Sequence, residues 1–294
     1  MPSLAHHHSG SLTKILCIGD SKTGKTSSLI SLVKAGYKLR ILDFDNLLDP
    51  LANLVAAECP DLADNVDYRA LRDERKATAN GMVISGIPNA YVDGIRMLDK
   101  WAYGEGDDGV DLGRPAEWGH DCVLVIDSLS RLCDAAYDWR DALTPKSGKG
   151  GTQFDGRAIY GDAQDTVESV LAGLTAPSFA TNVIVIAHLA YMDMPDGRKR
   201  GFPQGVGKAL SPKIPQYFPN VVWYTRKGTD RIIQTSSQPL IDLSPPPKAE
   251  ESYPNLTGLA QIFRLSSIQR KDQPQAPSAP APLRRPQTVT TIRR

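Results

Sequence analysis

The chain has 294 residues, 41% of them hydrophobic, and a formal net charge of +1. That length holds one large α/β domain with appendages and excludes two full domains of that size. There is no run of eighteen apolar residues and no basic-then-apolar start, which excludes a membrane-spanning helix and a secretory signal and leaves a cytoplasmic protein as the expectation. The four cysteines (Cys17, Cys59, Cys122 and Cys133) form no C-x-x-C pair and read as reduced structural thiols.

In chain order, apolar runs predict strands over 14–18, 39–44, 122–127, 182–188 and 220–225, with 231–236 as a hairpin partner to the last. Helical spacing predicts helices over 25–35, 88–103, 128–143 and 159–175. This alternation predicts an α/β fold whose mostly parallel sheet carries helices on both faces. The Gly/Asp-rich stretch at 104–120 reads as a surface loop, and 144–157 and 190–212 as mobile loops of the long kind that usually carry function. From Arg270 to Arg294 there are six basic residues, one acidic residue and five prolines. The tail is therefore +5, the preceding residues are −4, and a disordered cationic segment suited to an acidic partner is expected.

Between the first strand and the first helix stands Gly19-Asp20-Ser21-Lys22-Thr23-Gly24-Lys25-Thr26, followed by Ser27. This is G-x-x-x-x-G-K-[ST] in its strand–loop–helix context. Backbone N–H groups at a helix N-terminus attract polyphosphate. Lys25 would reach the β/γ-phosphates and Thr26 would offer its hydroxyl to Mg²⁺, so Mg·ATP is the expected cofactor. Val123-Leu124-Val125-Ile126-Asp127 is a buried run ending in an acid. A strand of this kind beside the first would bring Asp127 to the metal. Ser128 follows where one large ATPase class has a catalytic glutamate, so the base must come from elsewhere. Asp43 and Asp45, two apart, would share a face, and Asp45, lying further out, is chosen to position water. His188 ends the 182–188 strand, where it would lie beside a γ-phosphate.

Together these motifs resemble the RecA-type recombinase ATPases, and more narrowly the small RecA-like proteins of bacteriophages, some of which anneal single strands. The resemblance covers roughly residues 12–236. It implies a RecA-like ATPase domain over 12–243, flanked by a flexible 1–11, a C-terminal extension over 244–269 and the tail at 270–294. It places the catalytic glutamate's role on Asp45, the metal role on Thr26 and Asp127, and the polar sensor on His188. The segments 146–157 and 190–210 become DNA-facing loops, with Arg198, Lys199, Arg200, Phe202 and Lys208 supplying charge and a ring for a single strand. The implied partners are single-stranded DNA, a single-strand-binding or other recombination protein, and further copies of the chain. Arg226 and Lys227 are placed towards a neighbouring subunit's nucleotide. Weak, DNA-stimulated ATP hydrolysis is the leading expectation. The alternatives are an ATP-switched binding module with negligible turnover and a helicase-type motor. A partition-type ATPase is disfavoured, because its lysine would stand at loop position two, where this chain has Asp20.

Overall fold

The computed structural model describes residues 12–106, 109–144 and 156–267. Eight strands form the main sheet: β1 (Lys14–Gly19), β2 (Lys38–Asp43), β3 (Val66–Ala70), β4 (Gly119–Asp127), β5 (Thr181–Ala187), β6 (Asn220–Lys227), β7 (Asp230–Gln234) and β8 (Ser252–Pro254). Their spatial order is β8-β7-β6-β1-β5-β4-β2-β3. The six strands from β6 to β3 run parallel, and β7 and β8 are added antiparallel. The expected α/β fold is therefore present, with one correction. The acid-bearing β4 is not beside β1, because β5 lies between them.

The central strands read as continuous apolar runs because both faces are covered. Alternate residues separate into two cores. Leu16, Ile18, Leu124, Ile126, Val183 and Val185 pack under α3 (Ala90–Asp99), α4 (Leu129–Leu143) and α5 (Gly156–Thr175). Ile15, Cys17, Val123, Val125, Ile184 and Ile186 pack under α1 (Ile30–Lys34), α2 (Asp49–Glu58) and α7 (Asn255–Ser267). None of the four cysteines is in a disulfide, and Cys17 and Cys133 are buried. No described helix is long and apolar enough to cross a membrane.

The helix expected over 25–35 begins as a 3₁₀ turn, Thr26–Leu29, before α1. The stretch at 104–120 is not all loop: Val110–Asp111 pairs with Ala102–Tyr103, Pro115–Glu117 forms a 3₁₀ turn, and β4 already begins at Gly119. The mobile loop expected over 190–212 is largely ordered. Leu189–Asp193 and Lys199–Pro203 form an antiparallel hairpin, followed by α6 (Gly207–Leu210). Its turn is closed by Gly197 N donating to Met194 O at 2.9 Å, with Gly197 at φ +79.

Residues 252–267, expected as part of an extension, form β8 and α7. Leu259, Ile262 and Phe263 of α7 are at most 1% exposed, and burying each contributes roughly 1.5–3 kcal/mol. The expectations for 1–11, most of 146–157 and the tail at 270–294 lie outside the described residues.

Candidate nucleotide and hydrolysis site

The loop after β1 is shaped by two glycines that no other residue can replace without displacement. A Cβ on Gly19 would lie 2.5 Å from the Tyr224 carbonyl of β6, and one on Gly24, at φ +92, would lie 2.6 Å from Asn255 Nδ2. Lys22 also takes a left-handed conformation, φ 64, which is uncommon for a residue with a side chain. Lys25, 6% exposed, folds back so that Nζ donates to the carbonyls of Gly19 (2.8 Å) and Asp20 (2.7 Å). Thr23 Oγ1 donates to Asp20 O at 2.8 Å. Ser27 and Ser28 are buried beneath the loop, where Ser28 Oγ lies 2.8 Å from Tyr224 Oη. Asp20 accepts from Tyr191 Oη of the 189–203 hairpin at 3.1 Å, and Ser21 lines the adjoining cleft.

Although β5 separates their strands, Thr26 Oγ1 donates to Asp127 Oδ2 at 2.6 Å. Burial pushes the Asp127 carboxyl up to about 7; the Thr26 bond opposes this, and the charges of Asp45 and Asp43 add to it. Asp43 and Asp45 do not share a task. Asp43 turns back, with Oδ1 accepting from Asn46 N at 2.7 Å and Leu47 N at 3.4 Å, and burial raises it to about 6. β2 ends at Asp43, so strand alternation no longer governs Asp45.

Asp45 faces the site. Its Oδ1 accepts from Ser128 Oγ at 2.9 Å, and its Oδ2 lies 3.3 Å from His188 Nε2. Arg131 Nε stands 3.8 Å from Oδ1. Burial alone would raise the Asp45 pKa, but the His188 and Ser128 hydrogen bonds, with the His188 and Arg131 charges, outweigh it and hold the carboxylate below its ordinary value. His188 Nδ1 is 3.5 Å from Lys25 Nζ. The ring thus lies between its two neighbours, with Nδ1 towards Lys25 and Nε2 towards Asp45. His188 N is itself held by Ser130 Oγ at 3.0 Å. A cleft of about 350 Å³ opens here, with Asp20, Ser130, Arg131 and His188 in its wall.

The donor set fits Mg²⁺ held jointly with phosphate. A hydroxyl and a carboxylate oxygen converge, and the buried acid is short of positive charge. Among the described residues there is no group of three or more His, Cys, Asp or Glu that could hold a metal.

The proposed DNA residues are placed less freely than expected. Arg200 pairs with Asp242, and Arg198 Nε is 3.5 Å from Asp196. Phe202 is half-buried, while Lys199 and Lys208 are exposed. The hairpin's exposed ring is Tyr191, which sequence reasoning did not single out. Arg226 is exposed, and its Nη2 donates to Lys22 O of its own chain's loop at 3.1 Å.

Sequence reasoning also missed Ser128 as the partner of Asp45. Its position directly after Asp127 was the available signal. Asn255, whose Nδ2 donates to Gly24 O at 3.1 Å, carried none, being 231 residues away.

No curated protein sequence matches the chain. Among solved structures, the chain is similar to the RadB recombinase, at 12% identity and TM-score 0.40, over 76% of this chain and 79% of that one. It is also similar to the type III secretion ATPase EscN of enteropathogenic E. coli, solved with its central stalk EscO, at 13% identity and TM-score 0.41, over 92% of this chain and 60% of that one. Residues 12–242 match the AAA domain family. With that match over most of its length, a G-x-x-x-x-G-K-[ST] loop after the first strand and a mainly parallel sheet, the chain belongs to the AAA domain family of P-loop ATPases.

Proposed function

We propose that the protein binds and hydrolyses Mg·ATP and uses the cycle to act on single-stranded DNA, in phage recombination, annealing or replication. The observation that carries the ATPase reading is the convergence of Lys25, Thr26, Asp127, Asp45 and His188, from four separate segments, on one mouth of the sheet. In this reading Lys25 leaves the Gly19 and Asp20 carbonyls for the β/γ-phosphates, and Thr26 and Asp127 hold the metal. Mg²⁺ held there would supply positive charge against the negative charge building on the phosphate oxygens. Asp45 orients a water in line with the γ-phosphorus and accepts its proton as the new P–O bond forms and the bridging oxygen leaves. Ser128 and His188 fix the direction of that carboxylate.

The DNA part rests on the hairpin that continues directly from His188, with exposed Lys199 and, beyond it, exposed Lys208. Contact of His188 with a γ-phosphate would be felt at the base of that hairpin, where Gln204 N donates to His188 O at 2.8 Å.

Phosphate release measured with and without single-stranded DNA tests both parts. Asp45→Asn is expected to retain Mg·ATP binding and lose turnover by about 10²-fold or more; unchanged turnover would reject Asp45 as the base. A second reading, an ATP-switched module with negligible hydrolysis, is favoured by one feature. Both Asp45 oxygens already have partners, which leaves the shorter side chain little freedom to reach a water. Nucleotide-dependent DNA binding without phosphate release would select it.

A further inference from the structure

The loop that would hold the phosphates is clamped from a segment outside the residues that match the family. Asn255 opens α7, beyond residue 242, where that match ends. It is 4% exposed, and its Nδ2 donates to the Gly24 carbonyl at 3.1 Å. The same carbonyl accepts from Ser28 N at 3.0 Å, as the first bond of the turn that follows the loop. In a planar trans peptide the carbonyl and the following N–H point in opposite directions. Holding Gly24 O down the helix axis therefore aims Lys25 N–H up into the loop, where backbone donors meet the α/β-phosphates.

Stability does not account for this asparagine. Its Oδ1 is buried and has no hydrogen-bond partner among the described residues, a cost that an apolar side chain of similar volume would avoid. The contact is also close. Gly24 has no room for a Cβ between Asn255 and the Arg231 side chain, whose Cδ would lie 3.0 Å away. Behind Asn255, Ala260 N donates to Ser31 Oγ at 3.1 Å and ties α7 to α1.

We propose that Asn255 is a positioning residue for nucleotide binding: it fixes the Gly24–Lys25 peptide so that the Lys25 amide serves a phosphate common to ATP and ADP. This deepens the nucleotide-binding reading above and rests on it. Because the amide acts before the γ-phosphate, losing the clamp weakens both nucleotides alike. A γ-phosphate contact such as His188 would affect ATP alone.

The test is calorimetric titration of Mg·ATP and Mg·ADP into wild type, Asn255→Leu and Asn255→Ala, with melting of each protein recorded without nucleotide. Asn255→Leu is expected to bind both nucleotides about tenfold more weakly while melting no lower than wild type. Asn255→Ala is expected to lose similar affinity and to melt lower, because it leaves a small void. Wild-type affinity in both variants, or a loss confined to ATP, would overturn the assignment. If wild type itself bound neither nucleotide, the site reading and this inference would fall together, which separates the two failures.

Discussion

His188 stands between Lys25 and Asp45, with Nδ1 3.5 Å from Lys25 Nζ and Nε2 3.3 Å from Asp45 Oδ2. One ring thus touches both the lysine that would grip the terminal phosphate and the carboxylate that would direct water at it. His188→Ala is expected to keep Mg·ADP affinity within about threefold, since the phosphates of ADP are served by the loop amides. Turnover is expected to fall by about 10–10²-fold as Asp45 loses one of its two anchors. Single-turnover phosphate release against ADP titration checks this, and equal losses in both would contradict it.

The hairpin's cations are unequal. Arg200 is engaged by Asp242 and Arg198 lies near Asp196, whereas Lys199 and Lys208 have no ion pair among the described residues. Neutralising Lys199 and Lys208 together is expected to reduce the slope of log affinity for single-stranded DNA against log salt by about 1.4, two phosphate contacts at ~0.7 each. Arg200→Gln is expected to change it less. Fluorescence titrations across a salt series measure both slopes, and an unmoved slope in the double variant would remove the hairpin from the DNA surface.

Far from the site, Lys14 Nζ donates to the carbonyls of Leu174, Phe179 and Thr181, each at 2.8 Å, closing the end of α5 against β1. Lys14→Met leaves those acceptors without their donor and is expected to cost about 2–4 kcal/mol of stability. Burial pulls the Lys14 pKa down to about 7 from 10.5. Between those values the unfolded chain holds a proton that the folded protein has released, so stability from this group rises with pH. The gap between wild type and Lys14→Met should widen from pH 7 to pH 9 in denaturant titrations. A gap that narrows would contradict the assignment.

The parts of the site that lie close together in sequence were legible. The phosphate loop announces itself within eight residues, and the runs ending at Asp127 and His188 are apolar because both sheet faces are covered. Strand order was not legible: nothing local in β1 or β4 says that β5 separates them, since pairing between parallel strands is long-range. β3 escaped notice as a short, half-exposed edge, Val66–Ala70, with charged residues alternating through it. The hairpin after His188 was readable in principle. Pro195-Asp196-Gly197 between alternating segments is a turn signal, although the same glycines and prolines also suit an irregular loop. Asn255 could not be found from sequence, because its role exists only once α7 has packed against α1. The place of Asp45 beyond the strand end follows from its sequence position, but what aims it is Ser128, just past the neighbouring strand's end.

Lys25 Nζ rests on the Gly19 and Asp20 carbonyls, from which a nucleotide phosphate would draw it. Calorimetric titration of Mg·ATP into the full chain tests this directly, with Lys25→Ala alongside. Wild type is expected to bind saturably with one nucleotide per chain, and the variant at least about tenfold more weakly, having lost a charge-assisted contact. No binding by wild type, or superimposable isotherms for the two proteins, would contradict the account.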